Sequence, residues 1–219
     1  MTVRSFKLRA GRLGPERTAD LDRLWTAYGR LVGEPGGPTL DLAALFGRVA
    51  PVVLEIGTGM GETTVAMAAA DPVRDLLAVE VHVPGLAAIV ARIEAAGLTN
   101  VRVARGDAVT LLASLPEAGL DEVRVFFPDP WPKVKHHKRR LVSPAFLTLV
   151  AQRLRPGGLL HVATDWSAYA EAALTALTAS AEFSIDGFAA RPDWRPVTRF
   201  EARGASEGRP SRDLLAVRR

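Results

Sequence analysis

Alternating glycines after an apolar run are the first residues in this chain whose types and spacing could do chemistry. Gly57, Gly59 and Gly61 directly follow the apolar run Val52–Ile56. Glycines spaced in this way let the chain turn tightly and let a ligand approach the bare backbone. The dinucleotide pattern G-x-G-x-x-G needs another glycine where this chain has Glu62. The turn is therefore predicted to hold a different ligand.

Acidic residues lie at or just beyond the ends of three successive apolar runs. Glu55 stands near the end of the first run, Glu80 ends the second, and Asp107 comes just after the third. Negative charge beside the glycines would repel a pyrophosphate but suits a cationic or zwitterionic ligand. Glu55 could meet the amino-acid part of S-adenosylmethionine, Glu80 its ribose hydroxyls and Asp107 its adenine. This cofactor is favoured over the alternative, in which the acids only cap helices.

A nicotinamide-dependent reductase is the natural competitor on such a pattern. Short-chain reductases need a tyrosine with a lysine four residues later. Here Tyr28 is followed by Val32 and Tyr169 by Ala173, so that activity lacks its catalytic pair.

A proline-flanked aspartate follows the fourth apolar run. Asp129 lies within the segment Phe126-Phe127-Pro128-Asp129-Pro130-Trp131-Pro132-Lys133. Prolines on both sides restrict the backbone and hold the carboxylate in one direction. In doubly wound sheets, ligands bind outside the carboxyl ends of the strands, so this loop is expected to line a pocket. The alternative is a turn residue without a chemical role.

Basic residues are concentrated just beyond this loop. Five of the eight residues from Lys133 to Arg140 are Lys or Arg, none is acidic, and the net charge of the chain is +4. Such a patch suits a polyanion such as RNA or DNA, although it could also be an ordinary solvated loop. His136 and His137 have no third ligand at a supporting spacing, so we expect them to face phosphate and expect no metal ion.

Apolar runs alternate with alanine-rich stretches of helical spacing. The runs predict strands at Val52–Ile56, Leu76–Val81, Val101–Ala104, Val123–Phe127 and Leu159–Ala163. The stretches predict helices at Glu62–Ala70, Pro84–Ala96, Ala108–Leu115, Pro144–Leu154 and Ser167–Ser180. Strand and helix in alternation indicate a doubly wound α/β sheet. Two later runs, Phe183–Phe188 and Leu214–Val217, show no comparable helix between them and could form a hairpin at the sheet edge.

The length of 219 residues indicates one core with a short extension. We predict that residues 1–40 form a basic, partly helical amino-terminal extension, closed by Glu34-Pro35-Gly36-Gly37-Pro38, and that residues 41–219 form the main domain. The chain has no cysteine, which excludes disulfides, thiolate metal sites and cysteine nucleophiles. No apolar run approaches the roughly 18 residues of a membrane helix, and no signal peptide is recognised, so we expect a cytoplasmic protein without a membrane partner.

The loop around Asp129 and its basic continuation resemble the tRNA (guanine-N7)-methyltransferase family of the bacterial TrmB type. The pattern F-P-D-P-W-x-K, followed by His136-His137-Lys138-Arg139-Arg140, is the most specific stretch of that family. Other similar segments are Arg4-Ser5-Phe6 with Gly11-Arg12 and Leu24-Trp25, Val79-Glu80-Val81-His82 with Gly85, Ala163-Thr164-Asp165, and Thr198-Arg199-Phe200-Glu201 with Arg203-Gly204.

This resemblance implies a class I S-adenosylmethionine-dependent methyltransferase with a Rossmann-like sheet. It implies methyl transfer to N7 of guanine in tRNA, at variable-loop position 46. The cofactor would be bound by Glu55, Gly57, Gly59, Gly61, Glu80, Asp107 and Asp129, and Asp129 would also be the active-site residue. The tRNA would be bound by Lys133, Asp165, Thr198, Arg199, Phe200 and Glu201.

The sequence differs from the family pattern in two places, and two other functions remain as alternatives. Arg199 stands where the family usually has lysine, and the tail after Gly204 diverges. Another S-adenosylmethionine enzyme, acting on a different RNA base, a protein or a small molecule, is one alternative. The other is an RNA-binding protein without catalytic activity.

Overall fold

The structure is a computed structural model that describes residues 5–6, 12–34 and 36–219. Its strands are β1 Gly29–Leu31, β2 Val52–Ile56, β3 Asp75–Glu80, β4 Val101–Arg105, β5 Leu120–Phe126, β6 Leu154–Thr164, β7 Phe183–Ser184, β8 Phe188–Ala189 and β9 Arg212–Arg218. Its α-helices are α1 Pro15–Tyr28, α2 Leu42–Phe46, α3 Glu62–Ala70, α4 Val83–Ala95, α5 Ala108–Ser114, α6 Pro144–Arg153, α7 Ser167–Ala179 and α8 Arg199–Ser206, and a 3₁₀ helix spans Val134–Arg139. Arg4, Gly11 and Pro35, singled out above, lie outside the described residues.

One mixed sheet runs through the described part of the chain. Its strand order is β1-β4-β3-β2-β5-β6-β9-β7, and β8 also pairs with β9. Neighbouring strands from β1 to β6 run parallel, whereas β9 runs antiparallel to β6, β7 and β8. The direction of winding reverses between β2 and β5. Ligands of doubly wound sheets bind at this reversal, outside the carboxyl ends of the strands.

Helices cover both faces of the sheet. One apolar core packs the sheet against α2, α5, α6 and α7, with Phe46, Leu112 and Leu177 among its members. The other core packs α1 and α4 against it, through Leu24 and Ile89. Every residue of β2 and of β3 is buried. Strands buried on both faces have continuous rather than alternating apolar sequences, which is why they were recognisable.

The predicted doubly wound sheet is confirmed, and the predicted bounds of β2 and α3 agree with the structure. The prediction that no helix separates the last two apolar runs is wrong, because α8 forms there. The buried residues of α8 are Glu201 and Gly204, so its sequence lacks the apolar stripe that would have indicated a helix. The last strand is antiparallel as expected, but β9 lies inside the sheet, between β6 and β7.

The amino-terminal forty residues contribute two elements to this fold. Helix α1 packs on α4, where Arg23 donates a hydrogen bond of 2.6 Å to Glu94. Strand β1 adds to the sheet beside β4, with Gly29 opposite Val103. The division into an extension and a catalytic domain at residue 40 stays a prediction. Among the described residues, no helix has the length and apolar character needed to cross a membrane.

Candidate active site

A cavity of about 420 Å³ opens at the carboxyl ends of β2, β3 and β5, where the winding of the sheet reverses. The predicted site residues that line it are Glu55, Gly57, Gly59, Gly61, Glu80, Asp129, Thr198, Arg199 and Phe200. Those that lie outside its lining are Asp107, Lys133, Asp165 and Glu201. The fold therefore brings the glycine turn, the Asp129 loop and the start of α8 to one place.

The glycine turn joins β2 to α3. Gly57, Gly59 and Gly61 have φ angles of 77°, 58° and 78°, in the left-handed region that other residues rarely adopt. The N–H of Gly57 donates to the carbonyl of Val79 on β3 at 2.9 Å. The turn is thus tied to the neighbouring strand and exposes its backbone to the cavity.

Glu55 places a buried carboxyl in the cavity wall. Its side chain is 3% exposed, and its Oε1 accepts a hydrogen bond from the Thr64 hydroxyl at 3.0 Å. Its Oε2 is buried without a hydrogen-bond partner among the described residues. Burial raises the pKa of Glu55 to about 7, although Arg124, in register on β5, opposes this. Buried polar atoms are nearly always paired, so Oε2 is an acceptor available to a donor group in the cavity.

Glu80 fastens the glycine turn to the end of β3. Its Oε1 accepts hydrogen bonds from the N–H groups of Val81 and His82, at 2.7 and 2.9 Å. Its Oε2 accepts from the N–H of Gly59 at 2.9 Å. This carboxylate therefore shapes the turn as well as lining the cavity.

Asp107 is the N-cap of α5. Its Oδ1 accepts a hydrogen bond from the N–H of Thr110 at 3.0 Å, as the helix-cap alternative supposes. Its neighbours Gly106 and Ala108 line the cavity. Asp107 thus lies next to the cavity wall and positions it through the start of α5.

The Asp129 loop has an unusual backbone on both sides of the aspartate. Phe127 and Trp131 have φ angles of 51° and 45°. Bulky residues rarely adopt positive φ, and each such residue costs on the order of 1–3 kcal/mol unless its surroundings enforce it. Strain of this kind is concentrated at functional sites, which makes this loop a candidate for one.

Buried contacts enforce that conformation. Trp131 is 4% exposed, and its indole Nε1 donates to the carbonyl of Ser5 at 2.9 Å. Arg140 donates from Nε to the carbonyl of Pro130 at 3.0 Å and is itself buried. Asp129 is therefore carried by a loop that is fixed from both ends.

The first turn of α8 also lines the cavity. Thr198 is the N-cap, and its hydroxyl accepts from the N–H of Glu201 at 3.0 Å. Arg199 and Phe200 follow, with 78% of the Arg199 side chain and 61% of Phe200 exposed. Arg199 donates to Glu62, in the first turn of α3, at 2.6 Å. An exposed ion pair of this kind is weak and can exchange with another anion.

Asp165 lies against α8 outside the cavity lining. It accepts a hydrogen bond from Arg209 at 3.0 Å. A Cβ on Gly204 would lie only 2.6 Å from its Oδ2. Glycine at this position therefore allows α8 to approach Asp165 closely.

The basic segment divides into inward and outward residues. Arg140 is buried over the Tyr169 ring, and Arg139 lies over the Trp131 ring at 4.9 Å. The exposed basic side chains are Lys133, Lys135 and Lys138. His137 contacts Arg140, and the described residues include no group of three His, Asp or Glu side chains that could hold a metal ion.

Sequence reasoning missed the partners that hold α8 in place. Arg195, which is fully buried, pairs with Glu201 and was not singled out. The sequence did contain a signal for the start of α8, because Thr198 and Glu201 have the T-x-x-E spacing of a capping box. The ion pair between Arg199 and Glu62 joins residues 137 positions apart, so the spacing of residues in the sequence cannot predict it.

Comparison with known proteins first gives the class. The profile of a family described as a putative methyltransferase matches residues 49–214. The solved structure of the 16S rRNA methyltransferase KamB superposes with a TM-score of 0.61, covering 86% of this chain and 98% of that chain at 22% identity. At this identity the likeness concerns the fold alone. The protein has the class I methyltransferase fold.

Closer relatives give the family. The tRNA (guanine-N(7)-)-methyltransferase of Streptomyces avermitilis is 51% identical over 218 residues, which cover 97% of this chain and 74% of that protein. The enzyme of the same name from Halorhodospira halophila is also 51% identical over 218 residues, covering 97% and 94%. The chain belongs to the tRNA (guanine-N(7)-)-methyltransferase family. The resemblance seen in the Asp129 loop is confirmed.

The cavity residues fit the cofactor that this class of enzymes uses, S-adenosylmethionine. The unpartnered Oε2 of Glu55 offers an acceptor for its ammonium group. The bare backbone of the glycine turn allows close approach of its amino-acid portion. The carboxylate of Glu80 stands at the end of the next strand, where ribose hydroxyls are bound in sheets of this type.

Proposed function

We propose that this protein transfers a methyl group from S-adenosylmethionine to N7 of guanine in tRNA, at variable-loop position 46, in the cytoplasm. One observation carries the proposal. A single cavity brings the glycine turn and Glu55 together with Asp129 and the first turn of α8. The names of the relatives supply the nucleic acid, the base and the atom.

The cofactor half of the cavity consists of residues on β2, β3 and the loops that follow them. Glu55 accepts from the ammonium group, and the turn formed by Gly57, Gly59 and Gly61 faces the amino-acid portion. Glu80 accepts from the ribose hydroxyls while it holds the turn in shape. Asp107 positions the wall next to the adenine.

The RNA half consists of exposed residues around the mouth. Lys133 contacts phosphate, Arg199 exchanges Glu62 for a phosphate, and Phe200 offers an aromatic face for stacking on a base. Thr198 lines the cavity beside them. Glu201 and Asp165 lie outside the lining and support the surface for the guanine by holding α8 in place.

The chemistry needs little from the protein beyond placement. S-adenosylmethionine would supply the methyl group on a sulfonium centre. Guanine N7 has a lone pair and no proton, so no general base is required there. Holding reacting atoms about 3–3.5 Å apart and in line contributes roughly 7–11 kcal/mol to such a reaction.

Asp129 then acts as a charged group in a fixed position. Positive charge appears on the purine as N7 is methylated, and a carboxylate aimed at the base stabilises that charge. The strained, buttressed loop keeps Asp129 in place before the substrate arrives, so little reorganisation accompanies the reaction.

The proposal is tested with two tRNA transcripts that differ at one nucleotide. Transcripts with guanine or adenine at position 46 are incubated with the protein and radiolabelled S-adenosylmethionine. We expect about one methyl group per guanine transcript and none on the adenine transcript. Equal labelling of the two transcripts would contradict the assigned position.

A further inference from the structure

A fully buried arginine links β9, helix α8 and the end of β5. Arg195 lies between β8 and α8 and is 0% exposed. Its guanidinium donates to both carboxylate oxygens of Asp213, from Nε at 2.9 Å and Nη2 at 3.0 Å. It donates equally to both oxygens of Glu201, from Nη1 at 2.7 Å and Nη2 at 3.1 Å. Arginine is almost never fully buried without partners, and here it joins two carboxylates.

Asp213 anchors this cluster to the sheet. It lies on β9, and His161 on β6 donates to its Oδ1 from Nε2 at 2.6 Å. Burial alone would raise the pKa of Asp213, but the hydrogen bonds from His161 and Arg195 keep it below its ordinary value. The carboxylate therefore stays charged and holds the guanidinium in one orientation.

Glu201 connects the buried cluster to the part of α8 that lines the cavity. It lies in the first turn of α8, its N–H donates to the Thr198 hydroxyl, and its Oε1 also accepts from Ser211 at 2.7 Å. Arg199 and Phe200, which line the cavity, lie between Thr198 and Glu201 in sequence. The position of this turn is thus fixed through Glu201.

The same guanidinium also lies near the residues at the start of the Asp129 loop. Its Cζ lies 5.6 Å from the ring centre of Phe126 and 5.8 Å from that of Phe127. Phe127 is the first strained residue of the loop that carries Asp129. Arg195 therefore contacts both Glu201 in the first turn of α8 and the aromatic rings that lead into the Asp129 loop.

Stability alone does not account for such a cluster. Taking a guanidinium and two carboxylates out of water is costly, and replacing buried ion pairs by apolar side chains is often neutral or stabilising. What the ionic cluster provides is a fixed geometry for α8 relative to the Asp129 loop.

We propose that Arg195 is a positioning residue for the tRNA substrate, holding the first turn of α8 and the Asp129 loop in the arrangement that receives the guanine. It does not touch the RNA, because it is completely buried. The inference rests on the proposed function. It adds a residue outside the cavity lining whose effect is confined to the RNA half.

The test compares three variants in single-turnover methylation of tRNA. Arg195→Lys keeps the charge and loses the planar fork. We expect the tRNA concentration for half-maximal rate to rise about tenfold and the saturating rate to fall about threefold, as for loss of bidentate geometry. The dissociation constant of S-adenosylhomocysteine should stay within about twofold, because the glycine turn is not part of the cluster.

Two further variants keep the test decisive. Ser211→Ala removes the hydrogen bond from the Ser211 hydroxyl to Glu201 but leaves Glu201 paired with Arg195, so we expect a rise of about twofold in the same tRNA concentration. Arg48→Lys is the matched control, since Arg48 also binds a buried carboxylate, Asp75, at the amino end of β3. It should lower the melting temperature without changing the tRNA dependence.

Opposite results would overturn the inference. If Arg195→Lys lowers only the melting temperature, or weakens tRNA and S-adenosylhomocysteine equally, Arg195 is an ordinary structural residue. If that variant does not fold, an unchanged tRNA dependence in Ser211→Ala overturns the inference. Failure of the proposed function would be seen separately, as the absence of methylated guanine with the unaltered protein.

Discussion

At the residue scale, Glu55 shows how burial changes what an acid can do. Buried under the glycine turn, it has a pKa of about 7, because burial raises it. The charges that face it are Arg124, which lowers the pKa, and Glu122 and Glu80, which raise it further. Near neutral pH this carboxyl is therefore divided between its protonated and ionised forms, and a cationic ligand favours the ionised one.

We expect the binding of S-adenosylhomocysteine to depend on pH through Glu55. Its carboxyl keeps a proton in the folded protein up to about pH 7, whereas its ordinary pKa is 4.5. The folded state therefore favours the protonated form of Glu55. The stabilisation that Glu55 gives the folded protein is fully present below pH 4.5 and is lost as the pH rises to about 7. An ammonium group displaces the proton, so affinity should rise with pH and level off above about 7.

Calorimetry in two buffers with different ionisation enthalpies measures the proton that binding releases. Glu55→Gln should bind more weakly and release no proton from this site. An affinity of the unaltered protein that is constant from about pH 5.5 to 8 would contradict the role given to Glu55.

We expect Asp129→Asn to slow methyl transfer much more than it weakens binding. Asparagine keeps the shape and one acceptor oxygen but removes the charge that distinguishes the transition state from the substrate. Groups of this kind contribute about 2.7–4 kcal/mol, or roughly 10²–10³ in rate. Single-turnover kinetics at saturating tRNA and cofactor gives the rate, and thermal melts give the stability. A nearly normal rate with a lower melting temperature would make Asp129 only a turn residue.

At the element scale, the 3₁₀ helix Val134–Arg139 separates two roles within one basic run. Arg139 and Arg140 face inward and hold the Asp129 loop, whereas Lys135 and Lys138 are exposed. Lys135 and Lys138 can be replaced without removing the contacts that Arg139 and Arg140 make to the Asp129 loop. They are therefore the residues to test as phosphate contacts.

We expect the double variant Lys135→Ala and Lys138→Ala to weaken tRNA binding and flatten its salt dependence. Each lost phosphate contact should reduce the slope of log affinity against log salt by about 0.7–0.9. Filter binding at several salt concentrations measures this slope. Arg155→Ala, near the amino end of β6, is the control and should leave the slope unchanged. An unaltered slope in the double variant would mean that the segment is an ordinary solvated loop.

The elements also show which parts of the fold could be predicted from sequence. Strands β2 and β3 are buried along their full length, so hydrophobicity alone indicated them. Helix α8 is held by Glu201 and Gly204, an ion pair and a close approach, neither of which hydrophobic periodicity detects. Likewise, the glycine turn was local and recognisable, whereas the pairing of Arg195 with Asp213 joins distant residues and depends on the assembled fold.

At the scale of the whole molecule, the reversal of the sheet decides where the motifs meet. The glycine turn, Glu80 and the Asp129 loop lie at the carboxyl ends of three different parallel strands, and those ends share one edge of the sheet. The antiparallel β9 then carries Asp213 beside β6, and through Arg195 it fixes α8 over the cavity. Residues more than a hundred positions apart thereby form one site.

The most direct measurement is nucleoside mass spectrometry of unmodified tRNA incubated with this protein and S-adenosylmethionine. We predict one new product, 7-methylguanosine, that maps to position 46 and is absent when the cofactor is withheld. A methyl group on another base, or no modified nucleoside although the protein binds S-adenosylhomocysteine, would contradict the central claim.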